Sequence, residues 1–210
     1  MGAELFIVRH GETEGHSSIR YYGRTDVALS ELGRAQMRAA AAAMPSRDFT
    51  RVFASTMVRA IEGARLIAGE HAPIVTIGEF AEVDFGLFEG LTAEEIRARY
   101  PTEFERWNRA PLDIGYTYPG GESRAGFRAR VERGLRRMLE VWGNDASGDG
   151  RALIVAHRGV IRTIVRALVK VEPVIELGSI HILERAPRWR VRELDITGHL
   201  EGLELRADGS

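Results

Sequence analysis

Short apolar runs alternate along the chain with longer stretches in which apolar positions recur every three or four residues. That alternation is the pattern of buried strands followed by amphipathic helices. Residues 5–8, 51–54 and 152–156 are apolar and β-rich without polar alternation, which predicts strands buried on both faces of a parallel sheet. Ser30 can cap a helix reaching about residue 44, with Pro45 just beyond, and a second helix is expected over 57–69. Thr92 and Glu95 form a capping box for a helix that stops before Pro101. The longest helix is expected over 122–142, with Phe127, Val131, Leu135, Met138 and Trp142 on one stripe.

Residues 144–150 (NDASGDG) read as a loop before the strand ALIVA, and a helix follows His157 and Gly159 to about residue 170. Residues 179–185 and 189–193 look like two strands around Ala186, Pro187 and Arg188, a hairpin at a sheet edge. The tail after Leu200 is weakly specified, and there is no internal repeat or long low-complexity linker. The segment 82–121 is richer in aromatics, Pro and Gly than its surroundings and reads as an insertion. The expected fold is α/β: a three-layer α/β/α sandwich, mostly parallel, with helices on both faces. The insertion would lie over the carboxyl ends of the strands, where open α/β sheets bind ligands. At 210 residues the chain suits a single domain spanning 1–210.

Composition changes this picture little. The hydrophobic fraction of 44% and charged fraction of 28% are those of an ordinary globular protein. A net charge of −1 argues against a nucleic-acid partner held by bulk electrostatics. No apolar run approaches the ~20 residues that span a bilayer, and no basic segment leads into an apolar stretch with a cleavage site. No membrane partner is expected, and the cytoplasm is the default location. The absence of cysteine excludes disulfides, thiolate metal sites and a thiol nucleophile. All but one of the 29 basic residues are arginine, which composition bias explains, so each arginine is judged by its position.

Five residues at four places carry candidate chemistry. Arg9 and His10 end the first strand, Arg59 lies one helical turn beyond Ser55 and Thr56, Glu82 opens the insertion, and His157 ends the strand ALIVA. A guanidinium offers a planar fork for an oxyanion, and an imidazole is a nucleophile near neutral pH. Taken singly, Arg9 fits a structural ion pair, and His10 or His157 a hydrogen-bonded strand end. Arg59 fits an exposed helix position and Glu82 a solvated loop carboxylate. Glu12, Glu79, Asp84 and Glu89 compete with Glu82 for the acidic role, and Thr13 either touches phosphate or satisfies a turn.

The segments LFIVRHGETE, YYGRTDVALSELGRAQ, FASTMVRAIEGA, EVDFGLFEGLTAEEI, YPGGES and LIVAHRGVIR resemble the histidine phosphatase superfamily, the phosphoglycerate mutase-like proteins. The resemblance runs from about Leu5 to Ala167 in family order and spacing. It implies that His10 is the nucleophile and forms a phosphohistidine. It implies that Arg9, Arg59 and His157 hold the phosphoryl oxygens. Glu82 would protonate the leaving oxygen and then deprotonate the hydrolytic water. Two arginines and a histidine can neutralise the equatorial charge in phosphoryl transfer without metal. No metal and no cofactor are expected: His71, His181 and His199 are scattered and no paired ligand spacing appears. Neither a GxSxG nor a P-loop motif is present.

Three positions depart from the family pattern. His16 stands where many relatives carry Asn, Tyr22 precedes Gly23 in place of a small polar residue or Gln, and Arg158 follows His157 in place of a small residue. Together they would make a larger, more basic rim that selects a substrate with a second anionic or aromatic group. The compact insertion, and Gly15–His16 in place of Trp-Asn, look more like phosphatases of small metabolites, including α-ribazole phosphatase, than like mutases. A small phosphorylated metabolite is the expected partner, and the chain is a monomer or homodimer. A bisphosphoglycerate-dependent mutase is the second reading. A non-catalytic phospho-ligand binding module is the third, disfavoured because His10 and Glu82 are both present. The hydrophobics from Leu87 to Ile96 and Trp107 would line a substrate cap or form the insertion's own small core.

Overall fold

The computed structural model describes residues 2–109, 113–143 and 150–203. In chain order its main elements are β1 (Ala3–Arg9), α1 (Glu31–Ala43), β2 (Arg51–Ser55), α2 (Val58–Ala68) and β3 (Ile74–Ile77). They continue with α3 (Ala93–Arg99), α4 (Pro101–Arg109), α5 (Arg124–Gly143), β4 (Gly150–Ala156), α6 (Arg158–Val169), β5 (Ile180–Arg185) and β6 (Trp189–Ile196). The strands form one sheet in the order β3-β2-β4-β1-β5-β6. β1, β2, β3 and β4 run parallel, β5 is antiparallel to β1, and β6 closes the edge antiparallel to β5.

The unbroken apolar runs are explained by layers on both faces of the sheet. Leu5 and Ile7 of β1, with Ile154 of β4, pack toward Val131 and Met138 of α5 and Ile161 and Ile164 of α6. Phe6 and Val8, with Leu153 and Val155, pack toward Met37 and Ala40 of α1 and Ala60 and Ile67 of α2. Each β1 and β4 core position named here is fully buried, as period-two alternation between two covered faces requires.

The helix starts follow local chemistry. Ser30 caps α1 by accepting from the Gly33 N–H at 3.1 Å, a cap worth about 1 kcal/mol. Thr92 and Glu95 form the expected capping box at α3. The stripe Phe127, Val131, Leu135, Met138 and Trp142 is the buried face of α5. The edge hairpin is β5 and β6, with β6 extending to Ile196, beyond the expected end.

Three elements differ from the sequence reading. β3 is a four-residue edge strand, too short and too exposed to stand out by periodicity. α4 begins at Pro101, where helix was expected to have ended; a missing N–H costs nothing at a first helical position, so Pro101 starts a new helix as Tyr100 ends the old one. The insertion has no separate core: Phe88, Ile96, Phe104 and Tyr118 join the same cluster as Leu5, Phe127 and Ile161. The expected loop at 144–149 and the tail at 204–210 lie outside the described residues.

One topological feature positions the site. β1 and β4 are adjacent, yet β1 leads to α1 on one face while β4 leads directly into α6 on the other. Their carboxyl ends therefore open into a crevice at a switch in chain direction. Gly11 is required there, because a Cβ at that position would lie 2.7 Å from Gly33 Cα at the start of α1.

Candidate active site

The crevice collects the two strand-end histidines. His10 follows β1 and His157 follows β4, and their rings meet edge to face with centroids 5.1 Å apart. His10 Nδ1 lies 2.7 Å from the Gly11 carbonyl oxygen, so Nδ1 carries the proton and Nε2 keeps its lone pair. Burial first, then the Arg59 and Arg9 charges, hold His10 well below the ordinary histidine range; the Gly11 carbonyl opposes this. Burial followed by Arg59, His10 and Arg9 does the same to His157. His157 Nε2 lies 2.8 Å from Ser55 Oγ, at the carboxyl end of β2.

Both arginines are anchored by backbone. Arg9 donates through one terminal nitrogen to the Ile175 carbonyl at 3.0 Å, and burial pulls its pKa down to about 10, leaving it cationic at neutral pH. Arg59 is fully buried rather than an exposed helix residue. Its terminal nitrogens donate to the carbonyls of Thr25 at 3.0 Å, Gly23 at 2.9 Å and Tyr22 at 3.3 Å, with Asp26 at 3.7 Å. Arg9 Nε, Arg59 Nε and His157 Nδ1 are buried without a hydrogen-bond partner among the described residues. Buried polar groups are rarely left so, and donors of this kind can bind an oxyanion.

Glu82 is buried rather than a solvated loop carboxylate. It accepts from its neighbour Val83 N–H at 3.0 Å and from the Gly159 N–H at 2.9 Å, in the first turn of α6 beyond His157. Gly159 must lack a side chain, since a Cβ there would lie 3.0 Å from the Phe127 ring and close against the Glu82 carboxylate. The backbone of this segment is held by Arg130 of α5. Its guanidinium donates to the carbonyls of Glu79 and Ala81, both at 2.9 Å, and Glu82 at 3.3 Å. It also makes a two-point pair with the Glu122 carboxylate at 3.0 and 2.7 Å.

The competing carboxylates have other occupations. Burial pushes Glu12 up, but hydrogen bonds from Ser18, Thr13 and Ser17 outweigh it and hold Glu12 below the usual carboxylate range. Glu89 accepts from the N–H groups of Gly23, Arg24, Thr25 and Phe85 and from the Thr25 hydroxyl at 2.7 Å. It clamps the loop whose carbonyls hold Arg59. Asp84 caps the Gly86 N–H at 2.9 Å, and Glu79 lies 3.6 Å from Arg137.

The expected rim residues lie in different surroundings. Thr13 is buried, and its hydroxyl accepts from the Ser17 N–H at 3.2 Å, satisfying a turn. His16 is exposed in a left-handed backbone conformation with φ 60°. The Tyr22 ring covers Gly15, and buried Gly23 packs against the backbone at Val83. Arg158 is exposed at the first position of α6, and its charge acts on Arg9 and Tyr21. Tyr21 joins an aromatic lattice of the segment 82–121: it meets Phe85 and Trp107 with centroids 5.4 and 5.2 Å away, and Phe85 meets Tyr118 at 5.0 Å.

The sequence carries no signal for Arg130 and Glu122, for the clamp role of Glu89 or for the contact between Ser55 and His157. An arginine on a helix face in an arginine-rich chain carries no signal of its own. Among the described residues no group of three or more His, Asp or Glu side chains is placed to hold a metal ion, and no helix is long and apolar enough to cross a membrane.

The chain matches the family model of the histidine phosphatase superfamily (branch 1) over residues 5–195. It is 28% identical to phosphoserine phosphatase 1 of Hydrogenobacter thermophilus, covering 94% of each chain. It is 31% identical to glucosyl-3-phosphoglycerate phosphatase of Mycobacterium tuberculosis, covering 79% of this chain and 75% of that protein. A structure described as a putative α-ribazole-5′-P phosphatase from Escherichia coli shares the fold, with a TM-score of 0.80 at 22% identity, covering 93% of this chain and 97% of that one.

Proposed function

The chain belongs to the histidine phosphatase superfamily, and on that premise we propose that it hydrolyses small phosphomonoesters through a covalent phosphohistidine at His10. The observation that carries this reading is the state of the two rings and two guanidinium groups. His10 Nδ1 is spent on Gly11, which leaves Nε2 as nucleophile, while Arg9 Nε, Arg59 Nε and His157 Nδ1 are buried without partners beside it. Relatives named as phosphatases of phosphoserine and of glucosyl-3-phosphoglycerate support the reaction class.

In the first half-reaction His10 Nε2 attacks phosphorus, the ester P–O bond breaks, and Glu82 gives its proton to the leaving oxygen. In the second, water attacks phosphorus, Glu82 takes the water's proton, and the N–P bond breaks to release inorganic phosphate. Arg9, Arg59 and His157 stabilise the equatorial oxygens through both steps, and burial, joined by the Arg59 and Arg9 charges, keeps His10 unprotonated. Two cations supply the charge that a metal would otherwise bring, and His157 adds a neutral donor. The exposed Arg158, whose charge acts on Arg9 and Tyr21, favours a substrate that carries a second anionic or aromatic group.

A panel of phosphomonoesters assayed with and without chelator tests the reading. Phosphate release should survive the chelator and vanish in His10→Ala. Turnover that persists in His10→Ala contradicts it. Substrates with a carboxylate or second phosphate should lose more kcat/KM in Arg158→Gly than para-nitrophenyl phosphate does.

A further inference from the structure

Ser55 ends β2 fully buried, one strand away from β1 and on the far side of β4. Its hydroxyl oxygen has two neighbours within hydrogen-bond distance: the Met57 backbone N–H at 3.3 Å and His157 Nε2 at 2.8 Å. Among the described residues the hydroxyl makes no other bond. A serine hydroxyl owns one proton and can accept as well. The Met57 N–H can only donate, so the hydroxyl accepts there, and the sole acceptor open to its own proton is His157 Nε2.

A neutral imidazole carries one N–H, on one nitrogen or the other. If Nε2 held it, the Ser55 proton would be buried without an acceptor, and Nδ1 would turn a lone pair into the anion-binding crevice. If Nε2 accepts from Ser55, Nδ1 holds the proton, and the same crevice receives a donor. Only the second arrangement gives the Ser55 proton an acceptor, and it leaves the buried Nδ1–H as the donor open to a ligand.

We propose that Ser55 is a positioning residue whose hydroxyl donates to His157 Nε2, fixes the ring as its Nδ1–H tautomer and so makes His157 a hydrogen-bond donor to a bound phosphoryl oxygen. The two rings are then set in complementary ways. The Gly11 carbonyl fixes His10 with its lone pair outward as a nucleophile, and the Ser55 hydroxyl fixes His157 with its proton outward as a donor. Burial beside Arg59 keeps His157 from gaining a second proton, so the tautomer, not a charge, decides what the ring offers. The catalytic meaning of the inference rests on the phosphatase reading, whereas the tautomer is a property of the free protein.

The test is a long-range 1H–15N correlation of the imidazole rings at neutral pH in the full chain, for the parent, Ser55→Ala and Ser55→Thr. It is paired with the inhibition constant for inorganic phosphate. The parent should show His157 protonated at Nδ1 and bare at Nε2. Ser55→Ala should lose that pattern and bind phosphate roughly tenfold more weakly, as expected for one lost hydrogen bond to an anion. Ser55→Thr should retain both. A parent His157 protonated at Nε2 overturns the proposal, and so does an alanine variant with unchanged tautomer and phosphate affinity. If Ser55→Ala does not fold, the parent spectrum and the threonine variant decide. If the parent hydrolyses no phosphomonoester, the phosphatase reading falls while the spectrum still decides the role of Ser55.

Discussion

The Gly159 backbone N–H donates to the Glu82 carboxylate at 2.9 Å, two residues past His157. The candidate acid is thereby tied to the helix start that presents the second histidine. A segment entering from β3 and a helix leaving β4 share one register. Glu82→Gln keeps an acceptor for Gly159, gives up the one for the Val83 N–H and removes the transferable proton. It should fold as the parent does and lose roughly 100- to 10,000-fold in kcat on an alkyl phosphate. The loss should be smaller on para-nitrophenyl phosphate, whose leaving group needs less protonation. Steady-state kinetics on the two esters would show equal losses if Glu82 were only structural.

Arg130 should matter although it stands outside the crevice. Its removal strands three carbonyls and the Glu122 carboxylate. Arg130→Met should cost roughly 2–4 kcal/mol in stability, because the group is largely buried and its partners have no substitute. The folded fraction should also show a lower kcat as Glu82 loses its fixed place. Urea unfolding together with active-site-normalised kcat checks both effects.

His10 and His157 are held well below 6.5 by burial and by the arginine charges. A histidine with a lowered pKa stays neutral to lower pH, so His10 keeps its free lone pair as the medium acidifies. An NMR titration should show no protonation step for either ring centred near 6.5. A step there would mean that the crevice is more open to water than its burial implies.

His181 links stability to pH through a group that takes no part in the proposed reaction. It is buried, with Nε2 3.1 Å from Ser179 Oγ and Nδ1 accepting from the Asp195 N–H at 3.3 Å. Burial lowers its pKa from 6.5 to about 4 against the pull of Asp195. The unfolded chain takes up this proton first as pH falls. The contribution is therefore whole above 6.5 and lost progressively down to about 4, roughly 3 kcal/mol in all. Urea midpoints should fall across that window in the parent and fall less in His181→Gln.

The sheet was legible where strands are buried on both faces, because β1 and β4 carry no polar alternation to confuse them. β3 and α4 were not: a four-residue edge strand has no period to read, and a helix that starts on proline looks like the end of its predecessor. The strand-end histidines and Arg9 could be placed because a charged pair is costly at the end of an apolar run unless something uses it. The burial of Arg59 could not, since it depends on carbonyls of a loop that Glu89 folds around from far along the chain. Ser55 was visible only as a marker of a strand end, and its bond to His157 arises from the β2–β4 pairing.

The central claim is that the phosphoryl group passes through His10. It is tested by quenching turnover of a labelled phosphomonoester in alkali, digesting the protein and mapping the modified peptide by mass spectrometry. An alkali-stable, acid-labile phosphoryl group should appear on the peptide containing His10 and be absent from His10→Ala. A phosphoryl group on another residue, or full turnover in His10→Ala, would contradict the account.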